Sequence, residues 1–189
     1  YSLNETNELL KDSMSLSIMG NMDAEEATTS LTSALKGYQL QVGQASSVVD
    51  KFFAVDMAAA TSSSKLATAL SKCAANAKLA GISLNDVIGQ LAVVNETMQE
   101  DGPNTGVFYN TMLSRIGAVK AGRLSDPETA EDLSDVETTL KGAGIQLRTS
   151  ENEFRNFGDV LDETATKWKS FSDVTQRAIA TAFAGEMCA

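Results

Sequence analysis

The chain has 189 residues, a formal charge of −10 from 15 basic and 25 acidic side chains, and no histidine. The acidic balance argues against the basic clusters that hold a phosphate backbone, and without histidine no Ser-His-Asp or Cys-His pair can form and the commonest metal ligand is missing. Hydrophobic residues make up 43% but aromatic ones only 6%, with two prolines, which predicts helices meeting across thin, alanine-lined interfaces in one or two domains.

Ser2-Leu3-Asn4-Glu5 has capping-box spacing and precedes Leu9, Leu10, Met14 and Ile18, predicting a first helix with those residues inward and a stop at Gly20. Asp23-Ala24-Glu25-Glu26 opens a second helix, with Ala27, Leu31, Ala34 and Leu35 as its apolar stripe and its end at Gly37. A third helix takes Ala45, Val48, Val49, Phe52, Phe53 and Met57 inward, with Asp50 and Lys51 toward water. Thr61-Ser62-Ser63-Ser64 is a break offering several N-caps.

Leu66, Leu70, Cys73, Ala74 and Ala77 then form a helical face leading to Ala80-Gly81, where glycine can take the left-handed conformation. Ser83 and Asp86 open the next helix, which carries Val87, Ile88, Leu91, Val94 and Met98, and the short turn predicts a helical hairpin. Gly102-Pro103 is expected to break the chain, so that a sixth helix starts near Thr105 with Val107, Phe108, Met112 and Ile116 inward and Arg115 on another face. Lys120 to Asp135 is acidic and poor in apolar residues, as a surface loop would be. Val136 and Leu140 mark a short helix into Gly142 and Gly144.

From Ala143 to Gly185 the period changes twice. Ile145 and Leu147, a polar turn at Thr149 to Asn152 and then Phe154 predict a β-hairpin. Phe157, Leu161, Ala165 and Trp168 predict a helix with the only tryptophan inward; after Ser172-Asp173 a last helix carries Val174, Ala178, Ile179, Ala182 and Phe183. The segments Ala80 to Leu84 and Ala143 to Leu147 share A-G-I-x-L, a glycine-capped helix end used twice. The expected fold is mainly α, an array of short helical hairpins with one small β-hairpin near Ile145 to Arg155. Its expected divisions are N-terminal helices at 1–60, a central hairpin plus third helix at 61–119, an acidic loop at 120–135, and the β-hairpin and C-terminal helices at 136–189, packed as one or two units.

Cys73 and Cys188 are far apart and form no ligand cluster; Cys73, on an apolar face, is expected as a small buried hydrophobe. The most apolar run, Phe52 to Ala60, is too short to span a bilayer and contains Asp56. The chain starts at Tyr1 without an initiator Met or signal-peptide pattern and is expected to be a fragment of a longer one.

Several segments, in order, resemble the conserved core of phage tail tape measure proteins. Ala45 to Phe52, ASSVVDKF, is similar to the family's A-x-x-V-V-D-K-h element, h being apolar. Ser64 to Glu96, SKLATALSKCAANAKLAGISLNDVIGQLAVVNE, is similar to its helical hairpin. Thr111 to Ile116, TMLSRI, resembles the arginine-bearing helix that follows; Gly144 to Arg155, Asp159 to Trp168 and Ser172 to Gly185 resemble the hairpin, Trp helix and closing A-G helix. The chain departs from the pattern in its acidic stretch at 120–135, in Phe53, and in an ending, Glu186-Met187-Cys188-Ala189, that lacks the basic residues common there.

The resemblance implies a virion structural protein, a long helical molecule in the tail lumen that sets tail length during assembly and leaves ahead of the DNA. It implies further copies of the same chain, forming a homo-oligomer, as partners, with tail tube proteins, tail tip proteins and tail assembly chaperones. The host envelope would be met through other segments. The implied place is the virion tail, after synthesis in the bacterial cytoplasm, with no specific nucleic-acid site.

No catalytic, cofactor-binding or metal-binding residue is expected, and no enzyme. Glu151 and Glu153, or Asp159, Asp162 and Glu163, suit a turn and a solvated helix face better than a paired acid and base. Asp126, Glu128, Glu131, Asp132 and Asp135 lack the spacing of a calcium loop. Arg115 and Arg155 are the charged residues expected to tie one element to another's carboxylate. The competing readings are a generic helical adaptor and, third, a cell-wall-degrading domain.

Overall fold

The computed structural model describes residues 2–126 and 130–185. The fold is mainly α with one small antiparallel hairpin, as the sequence predicts. The chain divides into two compact units, one of residues up to 78 together with 83–110, the other of 79–82 together with residues from 111 onward.

The first unit holds α1 (Leu3–Met19), α2 (Ala24–Tyr38), a 3-10 turn at Val42–Gln44, α3 (Ala45–Asp56), α4 (Ser63–Leu79), α5 (Leu84–Met98) and the start of α6 (Gly102–Lys120). Local caps set the helix starts. Ser2 Oγ accepts from the Glu5 N–H while Glu5 Oε2 accepts from the Ser2 N–H at 2.7 Å, and Asp23 accepts from the N–H groups of Glu25 and Glu26, satisfying donors that no helical carbonyl reaches. α1 packs on α2 and α3, and α3 on α5, around Leu16, Leu31, Leu35, Val48, Phe52, Leu66, Leu70 and Leu91.

Several expectations fail in this unit. In α1 the inward residues are Leu9, Ser13 and Leu16, whereas Leu10, Met14 and Ile18 face water. α2 runs through Gly37 to Tyr38 and is closed by Gln39 at φ +57°; a Cβ on Gly37 would sit 2.5 Å from that of Ala74, so this glycine is there for close helix packing. α6 starts at Gly102 and not near Thr105. Asp101 Oδ1 caps it by accepting from Asn104 N–H at 2.8 Å, and Pro103 sits in the first turn, where a missing N–H costs nothing. Met57 and Val107 are exposed as well, and Phe53 and Phe108 are only half-buried.

The close approaches concentrate on α4. Cβ atoms at Gly102 and Gly106 would lie 2.4 Å from the Lys65 carbonyl oxygen and 2.3 Å from that of Ala69. Glycine spaced four apart on α6 thus lets two helix backbones touch, a role the composition assigned to alanine.

The second unit holds the rest of α6, α7 (Val136–Gly142), β1 (Arg148–Ser150), β2 (Glu153–Phe154), α8 (Phe157–Lys167), a 3-10 turn at Trp168–Ser170 and α9 (Asp173–Ala184). α7 packs on α9. The hairpin is smaller than expected: Arg148 pairs with Phe154 and Ser150 with Glu153, so Thr149 and Ser150 belong to the strand and only Glu151 and Asn152 turn the chain. Ile116, Leu140, Ile145, Leu147, Val160 and Ile179 fill the core, with Phe157 and Phe183 edge to face at 5.6 Å.

Trp168 is not inward. It lies in the turn after α8 and is 36% exposed, with Ala165 and Val174 exposed and Leu161 half-buried; the buried face of α8 is Phe157, Gly158, Val160 and Thr164. The two A-G-I segments do share a geometry. Gly81 and Gly144 have φ of +84° and +76°, a region glycine enters without cost, and each is followed by a buried isoleucine, Ile82 and Ile145.

Candidate functional site

The sequence places Arg115 amid Met112, Leu113, Ile116 and Val119 on α6, and the helical period carries its side chain into the second unit's core, where it is 4% exposed. A buried guanidinium is costly unless its donors are matched. Here Nη1 donates to Glu131 Oε2 at 2.6 Å and lies 3.6 Å from Asp126 Oδ2, while Nε donates to the Ala182 carbonyl at 3.2 Å. That carbonyl belongs to the last turn of α9, which has no helical donor left to satisfy it.

The stretch from Lys120 to Asp135 is therefore not simply a surface loop. Leu133 and Asp126 are buried, Ser125 and Asp132 form an isolated bridge, and the backbone closes through Asp126 N–H to Glu131 O at 2.8 Å and Leu133 N–H to Leu124 O at 2.9 Å. A Cβ on Gly185 would sit 2.8 Å from Glu131 Oε2, so the loop lies directly against the end of α9. Of the five acidic residues read as a cation candidate, Asp126 and Glu131 meet Arg115, Asp132 caps the Ser134 N–H at 2.8 Å, Asp135 precedes α7, and Glu128 lies outside the described residues. No group of three or more His, Cys, Asp or Glu among the described residues could hold a metal.

Arg155 also ties elements together, as expected. Its Nη1 donates to the Gln146 carbonyl at 3.0 Å and to Glu163 on α8. Lys167 joins the same carboxylate at 2.6 Å and reaches the Gly144 carbonyl at 3.0 Å. Hydrogen bonds from Lys167 and then Arg155 hold the Glu163 carboxyl below its ordinary range. Arg148 stacks 4.0 Å over the Phe154 ring and donates to Glu137 at 2.6 Å. Burial pulls the Lys120 ammonium down as its Nζ donates to the Arg155 carbonyl.

The A-G-I turn joins this lattice through Asn156, whose Nδ2 donates to Gly81 O at 2.6 Å while its Oδ1 caps α8 at the Gly158 N–H. Glu151, Glu153, Asp159 and Asp162 are exposed, Glu153 accepting from Thr149 Oγ1 at 2.9 Å. Cys73 is a free thiol, fully buried, and burial pushes it up to about 12; Cys188 lies outside the described residues. An open groove of about 330 Å³ runs beside Asp23, Glu26, Ser71, Lys72 and Pro103 in the first unit, and another of about 250 Å³ beside Glu137, Lys141 and Arg148 in the second.

Sequence reasoning picked out Arg115 but put it on a face away from the core, and it missed Asp126 and Glu131 as its partners. An arginine three residues after Met112 and one before Ile116 was the available signal that the cation is carried inward.

Among the described residues no helix is long and apolar enough to cross a membrane. The second unit thus centres on an ion-pair clasp that fastens helix, loop and helix end. No solved structure matches the chain. Residues 1–185 match the family model described as phage-related minor tail protein, and the chain belongs to that family of phage tail proteins.

Proposed function

We propose that this phage tail protein is a folded module of the tape measure, the component that sets tail length. Family membership over residues 1–185 supports a structural role in the tail. The finer reading rests on one observation, the ordered run of resembling segments from Ala45 to Gly185. Those segments supply Phe52, the left-handed Gly81 and Gly144, Arg115, and the hairpin whose Arg155 grips α8. These residues brace packing, as a module held in an assembly requires.

The chain works by binding and assembly and not by catalysis. Its partners are further copies of itself, tail tube and tail tip proteins and assembly chaperones, and it leaves the virion tail ahead of the DNA. Length enters through the helix, which advances about 1.5 Å per residue, so residues of helical chain translate into distance. In-frame deletions in helical stretches of the same open reading frame should shorten the tail in electron micrographs, and tails of unchanged length would contradict the reading.

A further inference from the structure

We infer that the turn Ala80-Gly81-Ile82 is a detachable plug of the second unit, held by the capped end of α8 and able to leave while the rest of that unit stays folded. The sequence marks this segment by repetition, A-G-I-x-L at 80–84 and again at 143–147, and the tail-length reading gives it no part. The inference goes beyond that reading and stands or falls without it.

α8 holds both turns, one at each end. In each the glycine takes a positive φ and the isoleucine after it is buried. Asn156, the N-cap of α8, donates Nδ2 to the Gly81 carbonyl at 2.6 Å, and Lys167, the last residue of α8, donates Nζ to the Gly144 carbonyl at 3.0 Å. The first turn also completes the helix start. The Phe157 N–H is the first of α8 and has no helical acceptor; the Ala80 carbonyl accepts from it at 3.3 Å, while Asn156 Oδ1 accepts from the Gly158 N–H at 2.8 Å. Ile82 Cγ1 lies over the same end, 3.9 Å from where a Cβ on Gly158 would stand.

The chain on either side sets the two turns apart. Gly144 lies between α7 and β1, both in the second unit, so Ile145 is tied in from both directions. Residues 79–82, by contrast, are all that the α4–α5 connection gives to the second unit, since the chain up to 78 and from 83 belongs to the first. Of these, Leu79 is 82% exposed, Gly81 is exposed and Ile82 alone is buried. One aliphatic side chain and the bonds to the Ala80 and Gly81 carbonyls thus hold the turn. A segment with so few buried apolar contacts opens at lower free energy than the core around it. With the turn out, α6, unbroken from residue 110 to 111, is the remaining chain connection between the two sets of residues, so the plug is a release point built into the fold.

The test is thiol labelling of the 189-residue chain in a Cys188→Ser background, with Ile82→Cys reading the turn and Ile179→Cys reading the core of the same unit; buried Cys73 is common to both. The thiol at position 82 should react roughly tenfold faster or more than the one at 179, with a shallower dependence on denaturant, because plug release exposes little surface. Asn156→Asp keeps an acceptor for the Gly158 N–H but puts an acceptor where the donor to Gly81 was, so adding it should speed labelling at position 82 roughly tenfold with an unchanged circular dichroism spectrum. Hydrogen exchange in the chain without introduced thiols reads the same opening with Ile82 intact: the Phe157 amide should be less protected than that of Ile179, and Asn156→Asp should speed its exchange. Equal rates and equal denaturant dependence for turn and core, by labelling and by exchange, would mean that the turn leaves only when the unit unfolds and would overturn the inference. Labelling and Phe157 exchange that ignore Asn156→Asp would overturn the hold by α8.

Discussion

Arg115 is the side chain on which the second unit turns, since it reaches both the acidic loop and the end of α9. Replacing it with Met keeps much of the volume but leaves two carboxylates without their cation. Arg115→Met should cost about 3–5 kcal/mol in denaturant unfolding, and Arg115→Lys should recover only part, because an ammonium lacks the fork that reaches carboxylate and carbonyl together. A change below 1 kcal/mol for Arg115→Met would mean the clasp is solvated. The two aromatic residues of α8 and its following turn make a second comparison. Phe157 is fully buried against Phe183, so Phe157→Ala should cost about 3–5 kcal/mol, whereas half-exposed Trp168→Ala should cost about 1–2 kcal/mol. The reverse order would restore Trp168 to the core.

Helix starts and glycine turns were legible because they are local: Ser2, Asp23, Ser83 and Ser172 act on N–H groups within three residues, and Gly81 and Gly144 act through their own φ. What periodicity does not reveal is which of two apolar faces meets the core. In α1 the stripe Leu10, Met14, Ile18 is as regular as Leu9, Ser13, Leu16, and only the packing of α2 and α3 decides between them. Close helix contact was likewise invisible, because a glycine reads as a breaker until another backbone is known to press on it. That gives a contrast between two glycines inside helices. At Gly106 a Cβ would collide with the Ala69 backbone, and at Gly89 it would meet nothing within 4 Å. Gly106→Ala should therefore destabilise by about 1–3 kcal/mol, while Gly89→Ala should stabilise by about 0.5–1 kcal/mol through helix propensity. Thermal unfolding of both variants decides it; equal effects of the same sign would remove the close α4–α6 approach.

For the molecule as a whole, the sequence showed class and family resemblance more clearly than it showed the clasp. The mainly helical fold follows from composition, capping and period, all of which add up along the chain. The link between Arg115 and the acidic stretch does not, because it joins residues 16 positions apart in a segment whose low hydrophobicity reads as solvated loop. An acidic loop that folds back on a buried cation, and a helix with an apolar face left over, both suit a protein that functions within an assembly of tail components.

The most direct measurement is tail length against chain length. In-frame deletions and duplications of helical segments in the open reading frame should change tails, measured by electron microscopy, in proportion to the residues removed or added, with a slope of about 1.5 Å per residue. Tails that keep one length across the series, in virions that still contain the altered chain, would contradict a length-setting role.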